Sequence, residues 1–160
     1  MNLRNRPRLL LAASALACVA AVGAALVAQH RFGMQPCPWC VLQRVIFLLI
    51  AAVALIGALP RSRPAQRAAG LLMLPLAAAG AASALYQNLV AAKSLSCNLT
   101  LADKIISGLG LDARWPEVFE VRSSCADAAV DLFGLPFEFW ALGLFVALAV
   151  AGLLAARRRF

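Results

Sequence analysis

The chain is 160 residues long, 63% hydrophobic and 14% charged, with a net charge of +8 and a mean hydropathy of +0.83. Ordinary soluble domains are about 45–50% apolar and about 25% charged, and here the apolar excess is gathered into long uncharged blocks, so a single soluble core is excluded. The basic excess does not describe a nucleic-acid face either, because no basic stripe is interleaved with aromatic residues.

The first block, Leu9 to Ala28, is an uncharged run of 20 residues with Ser14 as its one hydroxyl. As a helix rising 1.5 Å per residue it spans about 30 Å, the thickness of a bilayer's hydrocarbon. Ala15-Leu16-Ala17 resembles a signal-peptide cleavage site, but the apolar run continues well past it and no polar mature region begins there. The second block runs from Val41 to Leu59 and is interrupted only by Gln43 and Arg44 in its first turn. The third runs from Ala68 to Tyr86. Pro75 is expected to kink it, and the small residues Ala77 to Ser83 permit close helix contact. The fourth runs from about Leu135 to Ala156, with Glu138 near its start.

Four spans place both termini on one side. Arg4, Arg6 and Arg8, then Arg61, Arg63 and Arg67, then Arg157, Arg158 and Arg159 fall on that side by alternation, and those segments hold no acid. All seven acids lie between Asp103 and Glu138. Positive charge marks the cytoplasm, so the expected topology is multi-pass in an inner membrane with both termini cytoplasmic. The predicted fold is an all-α, four-transmembrane-helix bundle. The whole chain, 1–160, then forms one integral membrane domain with periplasmic loops over about 29–40 and 87–134. The longer loop is expected to carry a short amphipathic helix around Trp115-Pro116-Glu117-Val118-Phe119. Trp39, Tyr86 and Trp140 fall near span ends, as an aromatic belt requires.

Five cysteines are present. Cys18 lies in mid-span and reads as a small apolar residue. Cys37-Pro38-Trp39-Cys40 is a C-x-x-C motif, a spacing that lets two thiols close and reopen a small ring. Pro36 and Pro38 keep Cys37 out of a helix, and Pro38 suits the first helical position. Cys40 then sits in the first turn of the second span, where the helix N-terminus favours a thiolate. Arg44 follows four residues later on the same face. An arginine near a span end can simply reach for headgroups. At that cost in the membrane, one turn from a thiol, it reads as functional, stabilising the Cys40 thiolate and the anionic forms of a bound oxidant. Cys97 and Cys125 lie 28 positions apart in the long loop. Alone they read as a structural tether. A second pair on an oxidising face points to redox work. A zinc site would bring two closely spaced pairs, so no metal is expected.

Taken together, these residues resemble the disulfide bond formation protein B (DsbB) family of bacterial thiol:quinone oxidoreductases. The likeness covers nearly the whole chain: four spans, C-x-x-C opening the second, Arg44 four residues on, and a later cysteine pair. Asp131-Leu132-Phe133-Gly134-Leu135 also looks like that family's approach to its last span. The resemblance implies reoxidation of DsbA, a soluble periplasmic thiol oxidase, with electrons passed to ubiquinone or menaquinone in the lipid bilayer. By position, Cys97 would form the mixed disulfide with DsbA. Cys125 would be its partner and pass the oxidising equivalent to or from Cys40. Cys37 would complete the inner disulfide, and Cys40 and Arg44 would meet the quinone. Some members carry a histidine after a Tyr-x pair at the end of the third span. Here Tyr86-Gln87 is followed by Asn88, so a quinone contact at Asn88 would be a hydrogen bond without a titrating group. A dithiol oxidase near about −120 mV needs an oxidant stronger than glutathione, which a quinone supplies. Two other readings remain: a quinone reductase like vitamin K epoxide reductase, whose cysteine order is the reverse, and a non-enzymatic membrane protein with structural disulfides.

Overall fold

The computed structural model describes residues 6–94 and 100–157. Four helices within it are long and apolar enough to cross a membrane: α1 (Arg6–Phe32), α2 (Pro38–Ala58), α3 (Arg63–Leu89) and α7 (Phe137–Ala156). They pack as a four-helix membrane bundle. Their outward faces carry Leu16, Ile56, Leu72 and Val146, all exposed. That is a liability in water but the natural surface toward lipid tails.

The first three helices overrun the apolar blocks of the sequence. An apolar run marks only the hydrocarbon-facing part, whereas backbone hydrogen bonding carries a helix on into its polar flanks. α1 therefore starts at Arg6 and ends only at Phe32. Gly33, at φ +67°, takes the left-handed conformation that ends the helix, and Met34 N–H returns to the Ala28 carbonyl at 3.2 Å. α3 begins at Arg63 with a proline in its first turn and runs through Pro75 as one helix. α7 starts two residues later than the apolar pattern predicts. The residues before it form a hairpin, β1 (Asp131–Leu132) with β2 (Leu135–Pro136), turning through Phe133 and Gly134 at positive φ. Two left-handed residues make the tight turn that matches strand twist. Trp140 Nε1–H donates to the Leu132 carbonyl at 3.3 Å and fastens the hairpin to α7.

Between α3 and α7 the long loop carries a 3-10 turn (Ala91–Lys93), α4 (Leu101–Gly108), α5 (Leu111–Arg114) and α6 (Pro116–Phe119). The expected element around Trp115–Phe119 is the single turn α6. The longer α4 is additional. Thr100 and Asp103 cap it reciprocally, and its Ala102 and Ile106 are buried against α2.

Small residues set the bundle's spacing. α3 packs most extensively on α7. A methyl built at Gly152 would lie 2.8 Å from the Gly70 carbonyl oxygen, so only glycines allow this approach. Higher up, Gly80 makes room for the Phe145 ring, which stacks on Phe47 at 4.2 Å between centroids. Cys18 is fully buried in this apolar core with Leu11, Val22, Ile50 and Met73.

Candidate thiol and cavity site

Pro36 and Pro38 hold Cys37 in an extended conformation (φ −85°, ψ 167°) as the cap of α2, with Pro38 opening the helix. The Cys37 sulfur accepts the Cys40 N–H at 3.4 Å, doing for the helix end what a serine hydroxyl usually does. The two sulfurs, Cys37 Sγ and Cys40 Sγ, lie 3.0 Å apart as free thiols. Ring closure therefore needs almost no backbone movement.

Cys125 reaches this pair from the far end of the long loop. Arg122 N–H and Ser123 N–H both donate to the Pro36 carbonyl, at 3.1 and 3.3 Å. Ser123 Oγ–H donates to the Gln35 carbonyl at 2.9 Å. These bonds clamp the segment just before Cys125 onto the segment just before Cys37. Cys37, Cys125, Trp39 and Ala102 close into one small buried cluster. Hydrogen bonds to Cys125 and to Cys40, followed by burial and the repulsion of neighbouring thiolates, push the Cys37 thiol above the usual range. Cys37 is thus the thiol that holds its proton between two partners. The sequence reading passes the oxidising equivalent between Cys125 and Cys40, whereas the structure sets Cys125 against Cys37. Cys97 lies outside the described residues.

Cys40 faces the other way, onto a cavity of about 290 Å³ between α1, α2 and α7. Its walls are mostly apolar: Ala21, Val22, Ala24 and Ala25 of α1, Phe47, Leu132 of the hairpin, Phe137 and Leu144. The polar groups on it are Cys40, Gln43, Arg44, Gln87, Glu138 and Trp140. Arg44 is buried and donates through one terminal nitrogen to Gln29 Oε1 and to the Val118 carbonyl, both at 2.8 Å. It therefore ties α1 and the α6 turn to the cavity wall. Gln87 Nε2–H donates to Cys40 Sγ at 3.3 Å, while its Oε1 accepts from Gln43 Nε2 at 2.8 Å. The second bond fixes which end of the Gln87 amide meets the sulfur. Asn88 does not line the cavity. Its Nδ2 donates to Glu138 Oε1 at 2.8 Å, and the glutamate, buried, lines the wall instead.

The geometry thus brings Cys37, Cys40, Cys125 and Arg44 together. It adds Gln29, Gln43, Gln87 and Glu138, to which the sequence reading gave no role. Their signal was present: a polar side chain within a membrane span is costly and is kept where it has partners or work.

A helical membrane protein whose buried thiols run from a loop to an apolar cavity inside the bundle belongs to the class of membrane thiol oxidoreductases. Comparison with known proteins narrows the class. The sequence profile described as Disulfide bond formation protein DsbB matches residues 7–155. Disulfide bond formation protein B 1 of Pseudomonas fluorescens is 35% identical over 159 residues, covering 97% of this chain and 93% of the relative. Disulfide bond formation protein B of Burkholderia pseudomallei strain 1106a is 37% identical over 150 residues, covering 91% and 87%. Disulfide bond formation protein B 1 of Pseudomonas putida is 33% identical over 147 residues, covering 91% and 88%. The chain belongs to the DsbB family, and its work is oxidative, in disulfide bond formation.

Proposed function

We propose that this protein reoxidises a DsbA-like periplasmic thiol oxidase and passes the electrons to ubiquinone or menaquinone from within an inner membrane, with both termini cytoplasmic. The observation that carries the reading is the continuous line of sulfurs from Cys125 through Cys37 to Cys40, which ends at an apolar cavity edged by Arg44. In the proposed sequence the soluble partner exchanges with the Cys97–Cys125 disulfide at Cys97. The freed Cys125 thiol then attacks the Cys37–Cys40 disulfide at Cys37. Cys40 is released as the leaving thiolate, on the cavity side.

The residues present fit a quinone. The cavity, at about 290 Å³, is close to the lower bound of ligand pockets, about 300 Å³, and suits a single-ring head group whose tail lies among lipids. Arg44 and Cys40 would hold its polar edge, and Phe47 and Leu144 its ring faces. The quinone supplies a two-electron sink strong enough to reoxidise a dithiol near about −120 mV. Arg44 would stabilise negative charge developing on a quinone oxygen. The arginine-only segments at the inner helix ends support the orientation.

Purified protein in lipid nanodiscs, supplied with a reduced DsbA-like protein and a short-chain ubiquinone or menaquinone, should form one quinol per partner disulfide. Partner oxidation that proceeds without quinol formation under anaerobic conditions would sink the quinone reading. For topology, alkaline phosphatase fused after Arg159 should be inactive and fused near Gly108 active. The opposite pattern reverses the orientation.

A further inference from the structure

Quinone reduction takes up two protons as well as two electrons, and the cavity is walled mainly by apolar groups. Its polar residues are Cys40, Gln43, Arg44, Gln87, Glu138 and Trp140. Glutamine and tryptophan side chains do not release protons, and a guanidinium does not deprotonate in proteins. Among the described residues that leaves Glu138, besides the reacting thiol, as the titratable donor on the wall. Glu138 is 4% exposed, so the residue is nearly withdrawn from bulk water. It sits in the first turn of α7, as Cys40 sits in the first turn of α2. Among the described residues its one hydrogen-bond partner is Asn88, which donates to Oε1 and leaves the other oxygen able to carry a proton.

We propose that Glu138 is the general acid of the quinone half-reaction and that Asn88 is the positioning residue that aims its carboxyl group into the cavity. This inference rests on the reading above that the cavity takes a quinone. As the Cys37–Cys40 bond forms, the two thiols lose two electrons and two protons, and the quinone gains two of each to become the quinol. One quinone oxygen takes its proton from the Glu138 carboxyl. The resulting carboxylate is reset by a proton released from the thiols, through the outer aqueous phase. The other oxygen takes the second proton. The charged and titratable groups facing Glu138 are few. α2 contributes Cys40 and Arg44, and α3 presents only the neutral Gln87 and Asn88. The facing residues of α1 are Ala21, Val22, Ala24 and Ala25, without charge, and the hairpin brings Asp131 next to the lining Leu132.

Glu138→Gln keeps the size of the side chain and an oxygen for Asn88 to bond, so the fold is preserved. Wild-type and variant proteins in nanodiscs are assayed for quinol formation with a short-chain ubiquinone, against quinone concentration and pH. Glu138→Gln should lower kcat about 10²-fold, within the range general acids supply, with KM changed less than about twofold. The pH dependence of kcat should flatten, and Glu138→Asp should restore part of the rate. Asn88→Ala should lower kcat less, again without raising KM. Reduction-induced infrared difference spectra should show the carbonyl stretch of a protonated carboxyl in wild type and lose it in Glu138→Gln. Exchange between Cys125 and Cys37, followed by alkylation without added quinone, should be unchanged.

A wild-type kcat and pH profile in Glu138→Gln would overturn the proposal, as would a raised KM with kcat intact, since that describes a binding group. If wild-type protein itself reduces no quinone, it is the functional reading that fails, and the two failures are distinct.

Discussion

The two ends of the bundle are built from the same four helices and differ in what they bury. The half that holds the chain termini is packed mainly by smallness and shape. Gly70 meets Gly152, Gly57 meets Ala69, and Cys18 is one more apolar filler. The half that meets the long loop buries Gln29, Gln43, Arg44, Gln87 and Glu138, nearly all of them hydrogen-bonded to one another, to Cys40, to Asn88 or to the long loop. Polar groups withdrawn from water cost stability unless paired. The other half buries polar side chains too, Ser14 and Gln66 among them, but among the described residues only this end gathers a charged arginine, a carboxyl group and three glutamines beside the reactive sulfur, and that marks it as shaped for chemistry. Two cysteines make the same point, since Cys18 is buried in the apolar core and Cys40, half-buried, has a donor amide and an arginine on its cavity.

The sharpest way to break this contrast is at the sulfurs. Cys37→Ala, Cys40→Ala, Cys97→Ala or Cys125→Ala should each abolish catalytic oxidation of the partner. Normal turnover in Cys97→Ala or Cys125→Ala would make the loop pair structural. Next in size is Arg44→Ala. It removes a charged donor from two carbonyl-type acceptors, interactions worth about 1.5–3 kcal/mol when charge-assisted. The apparent KM for quinone should rise tenfold or more, since about 1.4 kcal/mol is a factor of ten. Proteolysis in the α6 turn should also quicken as Val118 loses its partner. Arg44→Lys should retain part of both functions. If neither quinone kinetics nor loop protection changes in Arg44→Ala, the residue is only an interfacial anchor. Gln87→Leu is a smaller perturbation. It removes one N–H from Cys40 Sγ, about 1 kcal/mol, and should slow alkylation of Cys40 severalfold in a Cys37→Ala background, while Gln66→Leu at the end that holds the termini leaves that rate alone. Cys18→Ala should do least, with turnover nearly unchanged and the melting temperature slightly lowered. A large loss of turnover there would erase the distinction between the two ends.

Much of this was legible in the residues, and unevenly so. Long uncharged blocks report burial in lipid directly, so the four spans were readable, although their ends were not. The apolar pattern puts Gln29 in a loop, yet α1 runs on through it to Phe32, and its side chain meets Arg44. The C-x-x-C at a helix start is a local pattern and was fully readable. Its pairing with Cys125 is not local. It depends on hydrogen bonds between residues 122–123 and 35–36, far apart in sequence. The sequence links Cys125 to Cys40 within the pair, and the fold packs it beside Cys37. Asn88 was chosen by its place after Tyr86, yet on a helix adjacent residues point about 100° apart. Gln87 takes the inward direction, and Asn88 is turned toward Glu138. α4 escaped notice although Thr100 and Asp103 spell a capping box. Its short apolar stripe is weak beside the spans.

The clamp that joins Arg122 and Ser123 to Pro36 and Gln35 also sets a competition. By holding Cys125 at the Cys37 sulfur, it turns what would be an encounter between molecules into a step within one. Tethers of this kind act as local concentrations on the order of millimolar. A small thiol dissolved in the surrounding compartment would have to approach that level before it could reach Cys37 ahead of Cys125. In the relay proposed above, the loop would thereby insulate Cys37 from discharge by stray reductants. Ser123→Ala, which removes one strand of the clamp, should lower the glutathione concentration at which Cys37 becomes glutathionylated.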